Sequence, residues 1–161
     1  MQYNPDVHHR KSIRLKEYDY TKEGMYFITI CIQNRECILS EIVGAPDLWC
    51  PKIQLTDIGE IIKENISNIE KYYEDIKIIE YVIMPNHIHF ILHILSGQVR
   101  SPAPTVFQII HALKRITFKQ IGYSIWQRNY YEHIIRNEKE LYKIIEYIRY
   151  NPNNWLQDKY Y

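Results

Sequence analysis

Two apolar, β-branched runs parted by one proline and one asparagine constrain this chain more than any other feature. Ile76-Lys-Ile-Ile-Glu-Tyr-Val-Ile83 and His87-Ile-His-Phe-Ile-Leu-His-Ile-Leu95 both have strand composition. Pro85-Asn86 between them reads as a tight turn, so the pair predicts an antiparallel hairpin. Side chains alternate across a strand, which puts His87, His89 and His93 on one face and Ile88, Phe90 and Leu92 on the other, toward a core. Two imidazoles side by side on a rigid strand offer a bidentate grip for a metal ion, each through a neutral ring nitrogen. A His-x-His pair is more often only a partly exposed strand face, so spacing alone leaves both readings open. His93 reads as a satisfied or exposed strand histidine.

The remaining elements follow from period and punctuation. Tyr26-Phe-Ile-Thr-Ile-Cys-Ile32 reads as a strand, with Tyr26, Ile28, Ile30 and Ile32 on one face. Asn34-Arg35 breaks it, and Cys37–Ile42 reads as its hairpin partner. Residues 43–55, with Gly44, Pro46 and Pro51, read as an irregular connection. Thr56 caps a helix whose core stripe is Ile58, Ile61, Ile62, Ile66 and Ile69. A polar loop, Ser96–Pro104, precedes a second helix, opened by a Thr105/Gln108 capping box and striped by Val106, Ile109, Ile110, Leu113 and Ile116. His111, Lys114, Arg115 and Lys119 ride on its other faces, and Gly122 stops it. Tyr130–Arg136 is strand-like. A capping box at Asn137 opens the last helix, from Glu138 to about Tyr150, with Leu141, Ile144, Ile145 and Ile148 as its stripe. Pro152 ends that helix, and Asn153–Tyr161 reads as a short, loosely held tail.

This order predicts a single domain over residues 1–161. The fold class is α+β: a two-layer sandwich with a mainly antiparallel sheet, helices on one face and the other face free for chemistry. A formal net charge of +1 means that any nucleic-acid contact comes from local patches. One such patch is a basic arm over about residues 1–20, including Arg10, Lys11 and Arg14. Three cysteines without metal-type spacing argue for a reducing compartment. With no signal-peptide core and no membrane-length apolar run, the expectation is a cytoplasmic protein with no membrane partner.

Tyr147 lies off the last helix's stripe, and Asn151 lies four residues on, along the same flank if the helix persists. A rim tyrosine and an ordinary helix C-cap would look the same. Three landmarks then stand in one order: Tyr81-Val-Ile-Met-Pro-Asn-His-Ile-His-Phe-Ile-Leu92, Trp126-Gln-Arg-Asn-Tyr-Tyr-Glu-His-Ile-Ile-Arg136 and Tyr147-Ile-Arg-Tyr-Asn-Pro152. Together with Arg14–Thr29 they resemble the REP-associated tyrosine transposases, within the HUH single-tyrosine transposases, over about His9 to Trp155. The resemblance implies a ferredoxin-like, RRM-related sheet. It implies His87 and His89 as metal ligands, Asn151 as a third, amide-type ligand, and Tyr147 as the nucleophile.

The implied reaction is transesterification of single-stranded, hairpin-containing DNA through a 5′-phosphotyrosine, with release of a 3′-hydroxyl. The implied cofactor is a divalent metal, Mg²⁺ or Mn²⁺, which neutralises a phosphate oxygen. A phenol, with its usual pKa near 10, needs help to lose its proton. His93, Glu132 or a water are candidates for that base. Arg10, Lys11, Arg14, Lys114, Arg115 and Arg128 are candidate phosphate contacts, and Trp126, Tyr130 or Tyr131 candidate stacking platforms. Trp126 reads equally well as a buried anchor. His133 and Arg136 are read as site support or DNA contacts. The protein is expected to act as a monomer or homodimer. A catalytically silent, structured-DNA-binding module is the alternative, and a small zinc hydrolase on His87 and His89 is the third reading.

Overall fold

In the structure, a computed structural model, the described residues are 23–43, 51–95 and 104–157. Arg10, Lys11 and Arg14, with the rest of the expected basic arm, lie outside them. Four strands form one antiparallel sheet in the order β4-β5-β1-β6: β1 (Gly24–Cys31), β4 (Ile76–Ile83), β5 (His87–Ile94) and β6 (Tyr131–Ile135). The hairpin expected from Pro85-Asn86 is β4–β5, closed by the Met84 N–H donating to the His87 carbonyl. The α+β class with an antiparallel sheet is the observed one.

One sheet face carries Tyr26, Ile28 and Ile30 of β1 with Ile88, Phe90, Leu92 and Ile94 of β5, all fully buried. It packs on two helices, α1 (Asp57–Tyr72) through Ile62, Ile66 and Ile69, and α2 (Val106–Ile121) through Val106, Ile109, Ile110 and Leu113. Both helices begin as their sequences dictate. The Thr56 hydroxyl accepts from the Gly59 N–H, and Thr105 with Gln108 forms the full reciprocal box. Gly122 closes α2 at φ 91°, in the left-handed region that favours glycine.

Four expectations are corrected. Cys37–Ile42 does not pair with β1, because β5 and β6 already take both of β1's hydrogen-bonding edges. Ser40–Val43 (β2) pairs instead with Lys52–Leu55 (β3), inside the stretch read as irregular. The chain leaves β1 through a turn at Gln33–Arg35, where Asn34 and Arg35 both have φ of 57°. The last helix, α3 (Glu138–Tyr150), lies on the opposite sheet face from α1 and α2. There Ile148, Ile144, Ile145 and Leu141 pack with Ile91, Val82, Ile135, Met25 and Phe27. One signal was present in β5, where Ile91 puts a large apolar side chain on the histidine face as well. The tail is also more ordered than expected: Asn151–Gln157 continues in 3-10 turns.

No helix among the described residues is long and apolar enough to cross a membrane.

At Gly59, α1 passes so close to Leu39 that a Cβ would overlap the Leu39 carbonyl oxygen. That carbonyl cannot easily yield: it accepts from the Thr56 N–H, and the Leu39 N–H donates to the Pro85 carbonyl. Gly59→Ala should therefore destabilise the protein by about 1–3 kcal/mol, despite alanine's better helix propensity. A denaturation midpoint equal to or above wild type would contradict this close approach.

Candidate active site on the histidine face

The antiparallel registers bring one set of side chains together on the α3 side of the sheet. Thr29 stands opposite His89 and Cys31 opposite His87, while Tyr131 of β6 stands opposite Thr29, and Val82 of β4 opposite His89. His87 and His89 are both 0% exposed, so they are not the open strand face that their spacing also allowed.

Their rings meet edge to face, with Nε2 of His87 3.0 Å from Nε2 of His89. The other nitrogen of each ring is held by a buried neighbour. His87 Nδ1 lies 2.7 Å from Asn86 Oδ1, and His89 Nδ1 lies 2.8 Å from Thr29 Oγ1. Phe27 stacks on His89 with ring centroids 5.2 Å apart, and Trp155 stacks on His87 at 6.1 Å.

α3 brings Tyr147 to this pair. Its hydroxyl is 3.4 Å from His89 Nε2, across 58 residues of sequence, and its ring is edge-on to Phe27. Tyr147 as a residue is 41% exposed, while its hydroxyl contact with His89 is partly buried. Helical backbone continues through Asn151, at φ −55° and ψ −42°, although a residue before proline disfavours that region. Asn151 therefore follows Tyr147 by one turn on the same flank, and its side-chain oxygen is buried.

Both ends of α3 are tied down. At its start Glu140 accepts from His133 Nε2 at 2.7 Å and from the Arg136 backbone N–H at 2.8 Å. The Arg136 N–H, then His133, hold the Glu140 carboxyl below the ordinary carboxylate range. Near its end Arg149 Nε pairs with Glu80 of β4 at 2.7 Å.

The donors suit a divalent metal. Adjacent ligands on an octahedral ion at about 2.1 Å stand about 3.0 Å apart, which is the spacing of the two Nε2 atoms. Holding each Nδ1 on an oxygen is the usual way a ligating histidine is oriented. No third His, Cys, Asp or Glu joins them among the described residues, so the donor set of a zinc hydrolase is not assembled there.

The other candidates are scattered. Lys114 is turned inward: its ammonium donates to the carbonyls of Gln127, Arg128 and Asn129 at 2.8, 3.2 and 3.4 Å. It is a latch on that loop rather than a phosphate contact, and Tyr130 sits half-buried beneath it. Trp126 is 6% exposed and belongs to the core, so it is the anchor and cannot stack on a base as it stands. Arg115 is exposed on α2, on the far side of the sheet from Tyr147. Arg128 is exposed and lines an open cleft of about 620 Å³ with Gln33, Asn34, Ser124 and Gln127. His133 and Arg136 support α3 through Glu140, as above. Glu132 is excluded as the base, because its place opposite Ile28 puts it on the α1/α2 face. His93 shares the histidine face but lies four residues, about 13 Å, along the strand from His89. Sequence reasoning missed Thr29, Phe27 and Trp155, which only register and the 3-10 tail bring in. It read Asn86 as turn punctuation alone, although Asn86 is covalently next to His87. Tyr131, named as a possible stacking platform, is the exposed aromatic on the site's own face.

No family model matches the chain. A Haemophilus influenzae protein of uncharacterised function is 39% identical over 181 aligned positions, covering 99% of this chain and 97% of its own length. A second protein of that organism, described as a REP-associated tyrosine transposase, is 30% identical over 149 positions, covering 83% of this chain and 73% of its own. Among solved structures, a REP-associated tyrosine transposase bound to a REP hairpin matches with a TM-score of 0.62 over 91% of this chain and 76% of that one. The two share 22% identity, so that likeness is one of fold.

The Lys114 latch has a pH signature. Burial lowers its pKa from 10.5 to about 8, against a smaller opposing effect of Cys31. Between those two values the unfolded chain binds more protons than the folded one, so this group adds stability as pH rises across that window. Thermal melts of wild type and Lys114→Met should therefore diverge in favour of wild type as pH goes from 8 toward 10.5. A flat or opposite difference would remove the buried, charged latch.

Proposed function

The chain belongs to the REP-associated tyrosine transposase family, and on that footing we propose that it is a divalent-metal-dependent endonuclease and strand transferase for single-stranded, hairpin-containing DNA. The observation that carries this reading is the meeting of Tyr147 with the paired histidines. A phenol, two imidazoles and a buried amide come from strand and helix positions far apart in sequence, on a face with one exposed aromatic beside it.

Tyr147 is the nucleophile. Its O–H bond breaks and its oxygen bonds to the phosphorus, the bond from phosphorus to the 3′ oxygen breaks, and the phenol proton is balanced through water by the one the departing 3′-hydroxyl gains as the 5′-phosphotyrosine forms. The phosphodiester energy is kept in that link, so a 3′-hydroxyl from the same or another strand can reverse the step and join DNA. His87 and His89 would hold the metal through Nε2, with Asn151 contributing its amide oxygen. When bound, Mg²⁺ or Mn²⁺ neutralises a non-bridging phosphate oxygen and stabilises developing charge. Phe27 and Trp155 pack on the two rings and exclude water from their apolar sides. Tyr131 offers a stacking platform on the site's face, and Arg128 a phosphate contact at its own cleft.

The test is covalent capture. With a single-stranded hairpin oligonucleotide and Mn²⁺, wild type should yield a denaturation-resistant protein–DNA adduct. Tyr147→Phe should lower its formation by on the order of a thousandfold or more, while hairpin affinity changes less than about twofold. An adduct persisting in that variant would transfer the role to another tyrosine. Tight hairpin binding with no adduct under any metal would mark a binding module instead.

A further inference from the structure

The two nitrogens that face away from the site are not held in the same way. Asn86 is 2% exposed, and its side-chain oxygen lies 2.7 Å from His87 Nδ1. A carbonyl oxygen only accepts, so a neutral His87 carries its proton on Nδ1 and presents a lone pair at Nε2. Thr29 is 1% exposed, and its hydroxyl lies 2.8 Å from His89 Nδ1. A hydroxyl can accept or donate by rotating.

That difference has a consequence at the 3.0 Å contact between the two Nε2 atoms. With His87 Nε2 fixed as an acceptor, the contact is a hydrogen bond only when His89 bears its proton on Nε2. His89 Nδ1 is then bare, and the Thr29 hydroxyl donates to it. For both Nε2 atoms to face one cation, His89 must carry its proton on Nδ1, and Thr29 accepts. The ring stays neutral throughout: one proton leaves Nε2 to solvent, one arrives at Nδ1 from solvent, and the hydroxyl turns.

We propose that Asn86 and Thr29 are positioning residues for the histidine pair, Asn86 locking His87 in its ligating tautomer and Thr29 permitting His89 to pass between two. The inference rests on the metal reading of the pair given above. It makes His87 the preorganised half of the grip and His89 the adaptable half. It also gives Asn86, in Pro85-Asn86-His87, a role beyond the turn.

The experiment reads tautomers and metal affinity separately, on the full chain. Two-bond ¹H–¹⁵N spectra of the imidazoles, without metal, should show His87 protonated at Nδ1 and His89 at Nε2. In Asn86→Ala, His87 should lose its fixed tautomer; in Asn86→Asp, which still accepts, it should keep it. Mn²⁺ affinity, measured by electron paramagnetic resonance, should fall about 10–100-fold in Asn86→Ala and in the isosteric Thr29→Val. Asn86→Asp and Thr29→Ser should stay near wild type. The proposal is overturned if His87 in wild type is protonated at Nε2, or if neither tautomer nor affinity moves in Asn86→Ala. A wild-type protein that binds no Mn²⁺ would sink the metal reading, while the tautomer spectra would still decide the roles of Asn86 and Thr29.

Discussion

The pairing of β1 with β5 is the constraint from which the rest of the structure follows. Its register sets Thr29 against His89 and Phe27 against Ile91. A slip of β5 by one residue would turn both imidazoles toward the α1/α2 core and Ile88, Phe90 and Leu92 away from it. The same strand also gives its second edge to β6. With both edges occupied, β1 has no ladder left for the chain that follows it. The segment after the Gln33–Arg35 turn therefore builds a separate ribbon with Lys52–Leu55. Topology here is a matter of which backbone donors and acceptors remain to be satisfied.

A second constraint is the dryness of the histidine face. Two fully buried imidazoles are costly unless their nitrogens find partners. The structure meets this with one oxygen for each Nδ1 and by turning the two Nε2 atoms toward each other. The cover is α3, whose modest apolar stripe finds Ile91, Val82 and Ile135. Packing alone would let such a helix slide. The contacts at its ends lie partly in solvent and are worth little energy individually. Their effect is placement: Glu140 ties its first turn to β6, and Arg149, two residues past Tyr147, ties its last turn to β4.

The elements read most securely were those whose cause is local. Thr56, Thr105 and Asn137 each cap a helix within three residues of themselves, and Pro85-Asn86 turns a hairpin within its own span. Isoleucine stripes identified the buried sides of α1, α2 and α3. What escaped was decided at a distance. Lys114 looked like a solvated cation until the loop carbonyls folded over it, and Trp126 stood open between stacking platform and buried anchor until its bridge to Ile32 drew it into the core. Glu132 looked available as a base until the β1–β6 register turned it to the wrong side of the sheet. Trp155 lay in a stretch without periodicity, and nothing near it in sequence pointed to His87.

For the candidate site the division is just as physical. By itself the sequence determined that His87 and His89 share a face, since a strand alternates with period two. It also put Tyr147 and Asn151 on one flank, since a helix returns after four residues. Local periodicity is written in neighbouring residues, and so it can be read from them. Only the tertiary structure decided that these two pairs lie together on a buried face, and that Asn86 and Thr29 hold the imidazoles. Those contacts depend on strand register and on which side of the sheet receives α3. Both are settled by the competition of every edge and apolar stripe in the chain, which no single stretch of sequence contains.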